Sequence, residues 1–167
     1  MKMRFVLLIF VIAFGAIAPM WGQSEDHWDR YQCRTLQSII DLHRDDVQAL
    51  NSKKKAILLT GDSFPSQVKL VYLGESRPLP AKKGVLLDFW RKMLKEQAPP
   101  AEVFATEVLF KEGADEHRIA VQQPLLDALP KELKKGQAVN AYLIWMGAIK
   151  VGNRWEWLFA MNRFDGP

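Results

Sequence analysis

Two acidic residues, Glu107 and Glu156, interrupt apolar stretches that have the texture of β-strands. A carboxylate in a sheet has a shifted pKa when it is buried, and pairs of such carboxylates cleave glycosidic bonds. Strand alternation turns Glu156 away from the face of Trp155 and Trp157, so a side chain directed at water explains the same pattern. A small secreted hydrolase that uses these two carboxylates, or Ser63, is one hypothesis for function.

Ser63 closes a segment that reads Ala-Ile-Leu-Leu-Thr-Gly-Asp-Ser over residues 56–63. The segment resembles the nucleophile block of the GDSL (SGNH) esterases, in which a hydrophobic strand delivers Gly-Asp-Ser. The resemblance implies that Ser63 attacks an ester carbonyl. The Gly-x-Asn-Asp block and the C-terminal Asp-x-x-His block of that family are missing here. The alternative is a turn, because Gly61 gives backbone freedom and Asp62 and Ser63 cap locally.

The histidines do not predict a metal site. His27, His43 and His117 share no ligand spacing, and the acidic turn over residues 112–117 offers too few oxygens for a hard cation. His43 falls on the apolar side of a predicted helix, where we expect a partly buried side chain with a hydrogen bond. We therefore expect no metal and no cofactor.

Aromatic residues are concentrated in the second half of the chain. Trp155, Trp157 and Phe159 share one face of the last predicted strand, and most of this set is expected in the core, since aromatic side chains bury the largest area. A surplus on one sheet face would form a stacking platform for a sugar or a peptide. We take Trp155, Trp157 and Glu156 as the candidate ligand-binding residues.

The N-terminus has the parts of a secretory signal peptide. Lys2 and Arg4 precede an apolar run from Phe5 to Ala18. Pro19 makes the cleavage site imperfect, so a retained anchor is the alternative. The segment Phe5–Trp21 is short for that role, since a span needs about 20 apolar residues. We expect export to the periplasm or the cell exterior, or else an anchored protein facing outside.

The remaining chain has the size of one domain, and Cys33 is its only cysteine. The net charge is +4, but without Lys2 and Arg4 the 23 basic residues fall to 21, against 19 acidic ones. We therefore expect no nucleic-acid partner. Membrane contact is expected only through Phe5–Trp21 if it is uncleaved, with lysine runs such as 53–55 leaving contact with anionic lipid or cell-wall polymer as an alternative.

Residues Asp26 to Asn51 predict one amphipathic helix, because proline and glycine are absent and one stripe recurs at spacings of three and four. The stripe consists of Cys33, Leu36, Ile40, His43, Val47 and Leu50. The first interpretation is a helix packed on its own domain. The alternative is a dimer seam that joins two copies of Cys33 in an intermolecular disulfide. An anchored structural protein that oligomerises through this helix is a further hypothesis.

The rest of the sequence predicts an α+β fold. We expect residues 1–23 to be the signal peptide or short anchor, 24–55 the amphipathic helix, and 56–167 an α+β domain packed with that helix. The sheet is expected to be mainly antiparallel with five to six strands, or a small barrel resembling the oligonucleotide/oligosaccharide-binding (OB) type, with two further helices. Strands are predicted over residues 56–60, 67–73, 102–111, 117–122, 138–149 and 154–164.

Two segments carry more specific predictions. Residues 138–149 are apolar on both faces, which is typical of a doubly buried strand. The helix that ends before Pro99 is predicted to bury one apolar face, made of Leu86, Phe89, Trp90, Met93 and Leu94.

These observations assemble no nucleophile, base and metal set. The leading hypothesis is therefore an exported, non-enzymatic domain that binds a protein partner or an envelope ligand, in the cell envelope or outside the cell.

Overall fold

A computed structural model describes residues 25–59, 62–94 and 101–166. The predicted signal peptide or anchor lies outside these residues. Within them, four α-helices and a seven-stranded mixed sheet form an α+β fold. None of the described helices is both long enough and apolar enough to cross a membrane.

The strands are β1 (Gln32–Cys33), β2 (Ile57–Leu58), β3 (Ser66–Pro78), β4 (Thr106–Glu112), β5 (Asp115–Val121), β6 (Ala138–Val151) and β7 (Arg154–Asp165). The helices are α1 (Leu36–Leu42), α2 (Arg44–Ser52), α3 (Ala81–Leu94) and α4 (Gln123–Glu132). Short 3-10 helices cover Glu25–Arg30 and Ala101–Phe104.

Five of the strands pair in a closed ring. The order is β3–β4–β5–β7–β6, and β6 pairs back with β3 over Ser66–Val71. All of these pairings are antiparallel except that between β5 and β7. The prediction of a mainly antiparallel sheet is confirmed, but the predicted number of five to six strands is too low, because the two-residue strands β1 and β2 also pair with β3 and β6. We call the five strands of the closed ring the strand ring.

Alternate residues of the ring strands fill its interior, because successive side chains of a strand point to opposite faces. The interior cluster includes Val68 and Leu70 of β3, Phe110 of β4, and Phe159 and Met161 of β7. Leucines of α4 and apolar residues of α1 complete it. Burying this apolar surface is the main stabilising term of the fold.

The helix α3 covers the outer face of β6 and β7. Leu158 and Ala160 alternate with the interior residues of β7 and pack against Leu86, Leu87 and Trp90 of α3. Residues 145–149 of β6 are likewise all buried. The prediction of a doubly buried strand is therefore confirmed for the second half of β6.

The continuous helix predicted over Asp26–Asn51 is wrong. A 3-10 helix and β1 occupy its first part, because the backbone there pairs with the start of β3. The Gln32 N–H donates to the Pro65 carbonyl (3.1 Å), and the Arg34 N–H donates to the Gln67 carbonyl (3.1 Å). Backbone hydrogen bonds to a neighbouring strand thus take precedence over the helical pattern.

The helical part of this segment starts at Thr35 and breaks at His43. The Thr35 hydroxyl accepts from the Ser38 N–H at 3.0 Å, as an N-cap does. The Glu112 carboxylate accepts from the N–H groups of Leu36 (2.9 Å) and Gln37 (3.1 Å). A strand end and a local cap therefore fix where α1 begins, and His43 separates α1 from α2.

Gly147 lets β2 approach β6 at an irregularity in the β6–β7 register. Its φ is +129°, and a Cβ at this position would lie 2.4 Å from the Leu58 carbonyl oxygen. The Trp145 indole N–H donates to the Gly147 carbonyl at 2.9 Å. Only a residue without a side chain fits this crossing.

We expect Gly147→Ala to lower the free energy of unfolding by about 3 kcal/mol, because strained backbone and a clash with backbone add together. Gly113→Ala is the control: its φ of +58° is also positive, but nothing lies within 4 Å of the added Cβ. It should cost only about 1 kcal/mol. Urea unfolding measures both variants, and equal losses would contradict the close approach.

Candidate functional site

Glu107 lies wholly buried on the outer face of β4, beneath α3. One of its carboxylate oxygens accepts from Lys83 Nζ at 2.5 Å, and the other accepts from Arg77 Nε at 2.9 Å. Lys83 sits in the first turn of α3 and is itself buried, and Arg77 lies opposite Glu107 on β3. A carboxylate with no exposed area and both oxygens engaged cannot contact a sugar substrate, so this cluster is structural.

The second predicted carboxylate joins the same cluster. Glu156 Oε2 lies 3.6 Å from Lys83 Nζ, and its side chain is 36% exposed. The structure thus brings Glu107 and Glu156 together through one lysine. Sequence reasoning missed Lys83 and Arg77, since nothing in the sequence marks which cations a sheet will place beside a buried acid.

Ser63 belongs to a turn that is anchored to the strand ring. The Asp62 carboxylate accepts from the Phe64 N–H at 2.8 Å, and the Ser63 carbonyl accepts from the Trp145 N–H at 2.7 Å. Phe64 has a φ of +42°. These contacts match the turn interpretation for Asp62 and Ser63, and Gly61 lies outside the described residues.

His43 is the histidine nearest to this turn in the described structure. Its ring stacks on Trp145 (4.2 Å between centroids) and contacts Phe64 edge-on at 5.3 Å. Its Nδ1 pairs with Asp46 Oδ2 at 2.9 Å, whereas its buried Nε2 has no hydrogen-bond partner among the described residues. The expected buried histidine with a hydrogen bond is confirmed. No described hydroxyl bonds to Nε2, so a serine–histidine pair is not formed.

The described residues contain no group of three or more His, Cys, Asp or Glu side chains that could hold a metal ion. His117 lies in β5 and belongs to no such group. The side chain of His27 lies outside the described part. Cys33 is exposed in β1, with its Sγ 3.6 Å from Gln67 Oε1. Its intermolecular disulfide stays a prediction.

Trp155 and Trp157 are half-buried and pack against the interior cluster. The Trp155 indole N–H donates to Asn51 Oδ1 at 3.2 Å, and the Trp157 ring lies 6.0 Å from that of Trp145. Glu156 points the other way, to Lys83. The three predicted ligand-binding residues therefore lie on two faces of β7 and do not line one cleft.

An aromatic cluster that the sequence did not predict lies on the outer face of β6 and β7. The rings of Trp28, Tyr31 and Tyr142 lie 5.3–5.5 Å apart between centroids. The Arg163 guanidinium lies 5.0 Å from the Trp28 centroid and 5.3 Å from that of Tyr142. Burial raises the pKa of Tyr31, and a hydrogen bond to Asp165 raises that of Tyr142. Arg163 and Tyr142 belong to the strand ring, so their contacts with Trp28 and Tyr31 attach residues 28–31 to it.

The outer side of α3 carries three of the four large hydrophobic residues that are exposed in the described part of the chain. Val85, Phe89 and Met93 recur every fourth residue, and 47%, 44% and 48% of their surfaces are exposed. The prediction that Phe89 and Met93 belong to the buried face is wrong. Leu87 is buried instead, because Glu107 binds Lys83 and so directs the side of α3 that carries Lys83 and Leu87 towards the sheet.

Comparison with protein-family models and with curated proteins finds no match for this sequence. A function for this chain is therefore inferred from the arrangement of the described residues.

We expect Glu107→Gln to lower the free energy of unfolding by about 3 kcal/mol, because buried Lys83 loses its charged partner. Glu156→Gln, which changes the exposed member of the same cluster, should cost less than about 1 kcal/mol. Urea unfolding of the two variants separates these outcomes. A loss no larger for Glu107→Gln than for Glu156→Gln would show that the buried pair is not formed.

Burial lowers the pKa of His117 from its ordinary value of 6.5, although Glu112 and Asp115 act in the opposite direction. Below pH 6.5 the unfolded chain takes up a proton that the folded chain does not, so His117 costs stability on acidification and nothing above that pH. We expect His117→Asn to lose less stability than the parent chain between about pH 7.5 and about pH 5. Urea unfolding across this range measures it, and identical pH profiles would contradict the buried neutral histidine.

Proposed function

We propose that this chain is an exported, non-enzymatic binding domain built on an OB-type barrel. The strand ring supports this assignment: five strands close in the order β3–β4–β5–β7–β6, and along the chain α4 connects β5 to β6. A closed ring of five strands with a helix before the last two strands of the chain is typical of the OB fold. The predicted signal peptide supports export, to the periplasm or the cell exterior, with an anchored form facing outside as the alternative.

The observation that carries the proposal is the exposed apolar stripe of α3. OB folds bind ligands with the face of their second and third strands and with the loops between strands one and two and between strands four and five. The first of these loops is the connection 79–105, which contains α3. The second is the turn at residues 152–153. A contiguous exposed apolar patch marks a binding surface more often than a single exposed residue does.

The other hypotheses receive less support. Glu107 is enclosed by Lys83 and Arg77, and Ser63 lies in a turn with no histidine bonded to it, so a hydrolase has no assembled site among the described residues. Oligomerisation through residues 26–51 would need their apolar stripe at the surface. Leu36 and His43 are instead buried within their own domain.

The test places a photo-crosslinking phenylalanine analogue at position 89 of the full chain, expressed in cells with an intact envelope. The control carries the same analogue in place of Leu42, which is 60% exposed on α1. We expect an adduct from position 89 and none from position 42, because only α3 belongs to the proposed binding surface. Ester or glycoside hydrolysis by the purified chain that Ser63→Ala or Glu156→Gln abolishes would contradict the proposal.

A further inference from the structure

We propose that the outer side of α3, together with the basic residues beside it, is a docking surface for an anionic membrane. The inference rests on the proposed function, because it names the partner of the same surface. It departs from the prediction that membrane contact occurs only through Phe5–Trp21 and takes up the alternative of contact with anionic lipid. The occupant follows from the apolar stripe, from the charges around it, and from the way α3 is held.

The apolar stripe is fixed outwards. Leu86, Leu87 and Trp90 bury the opposite side of α3 against β6 and β7, and Lys83 is held by Glu107 at the start of the helix. The helix therefore cannot roll to hide Phe89 and Met93 without exposing its own core face. A helix fixed in this way presents Val, Phe and Met as an apolar surface that can enter a membrane interface.

The charges on the exposed side of α3 are mainly positive. Lys82 and Lys92 are exposed, and Lys92 Nζ lies 5.6 Å from the centre of the Phe89 ring. The single acidic residue of the helix, Asp88, faces Arg91 at 3.8 Å. The stripe thus has lysines at both ends, and long lysine side chains can reach lipid phosphates while the apolar residues enter the interface.

A second basic group lies at the end of β6 on which α3 packs. Ile149 contacts the α3 core face and also pairs with Ile57 of β2. The exposed lysines 53–55 immediately precede that strand, and the Ala56 carbonyl accepts from the Lys150 N–H at 2.8 Å. Exposed Arg154 pairs with Val151 at the tip of the β6–β7 hairpin. Basic residues of two further elements therefore lie near the end of the strand that α3 covers.

This charge pattern favours an anionic membrane over a second copy of the chain. Two copies joined through α3 would bring Lys82 and Lys92 of one close to those of the other, and like charges repel at an apolar contact. An anionic lipid surface supplies the opposite charge to Lys82 and Lys92, and a polybasic segment gains affinity with each lysine near the surface. Nothing at the stripe requires the shape of a particular protein.

The experiment measures the environment of the stripe itself, so that membrane binding by the apolar N-terminal segment does not determine the result. The full chain carries Cys33→Ser and Met93→Cys, with an environment-sensitive fluorophore on the new cysteine. The control carries Cys33→Ser and Leu42→Cys with the same fluorophore. Each is mixed with vesicles of phosphatidylcholine alone or with added phosphatidylglycerol, at low and at raised salt.

We expect the fluorophore at position 93 to shift to the blue on anionic vesicles, to respond weakly to neutral ones, and to lose the response in salt. Position 42 should not respond. Lys53→Ser with Lys55→Ser should raise the lipid concentration for half-maximal shift about tenfold. Lys134→Ser with Lys135→Ser removes the same charge from an exposed site after α4 and should leave that concentration unchanged.

The membrane inference is wrong if position 93 does not respond to anionic vesicles, if position 42 responds equally, or if lipid charge makes no difference. A shift at position 93 that follows protein concentration instead of lipid shows that the stripe joins two copies. In that case the binding role of α3 survives and only its partner changes. If the fluorophore at position 93 responds neither to lipid nor to protein concentration, and position 89 gives no photo-adduct, the proposed function fails as well.

Discussion

A carboxylate without any exposed area, held between a lysine and an arginine, determines how α3 sits on the strand ring. Desolvating Glu107 is costly unless both of its oxygens remain paired, so Lys83 must stay directly above it. Once Lys83 faces the ring, helical geometry places Leu86, Leu87 and Trp90 on the same side. Phe89 and Met93 are then left in solvent. One buried ion pair thereby decides which residues of α3 are exposed.

The polar groups that could do chemistry serve mostly to position the fold. The Glu112 carboxylate caps α1, Asp62 closes a turn, and Arg163 fills the aromatic cluster at Tyr142. Each is engaged with its own chain. The stripe of α3 instead leaves three large apolar side chains exposed, which is why we propose binding as the function.

Periodicity over short segments predicted much of the fold. The alternation in β7 and the hairpin between β4 and β5 follow from residues that are adjacent in sequence. Two features depended on distant partners and were not predictable. The helix predicted over 26–51 is interrupted by β1, because Pro65 and Gln67 lie beside residues 32–34 only in the folded chain. The buried side of α3 was misassigned because Glu107, 24 residues beyond Lys83, selects it.

The orientation of α3 is the central claim, and oxidation of methionines tests it most directly. The full chain is exposed briefly to hydrogen peroxide, and the sulfoxide at each methionine is quantified by peptide mass spectrometry. Met93 is 48% exposed, whereas Met146 beneath α3 is 2% exposed and Met161 inside the ring is fully buried. We expect Met93 to oxidise much faster than the other two, which should react only when the chain opens. Oxidation of Met146 at the rate of Met93, or protection of Met93, would contradict the orientation.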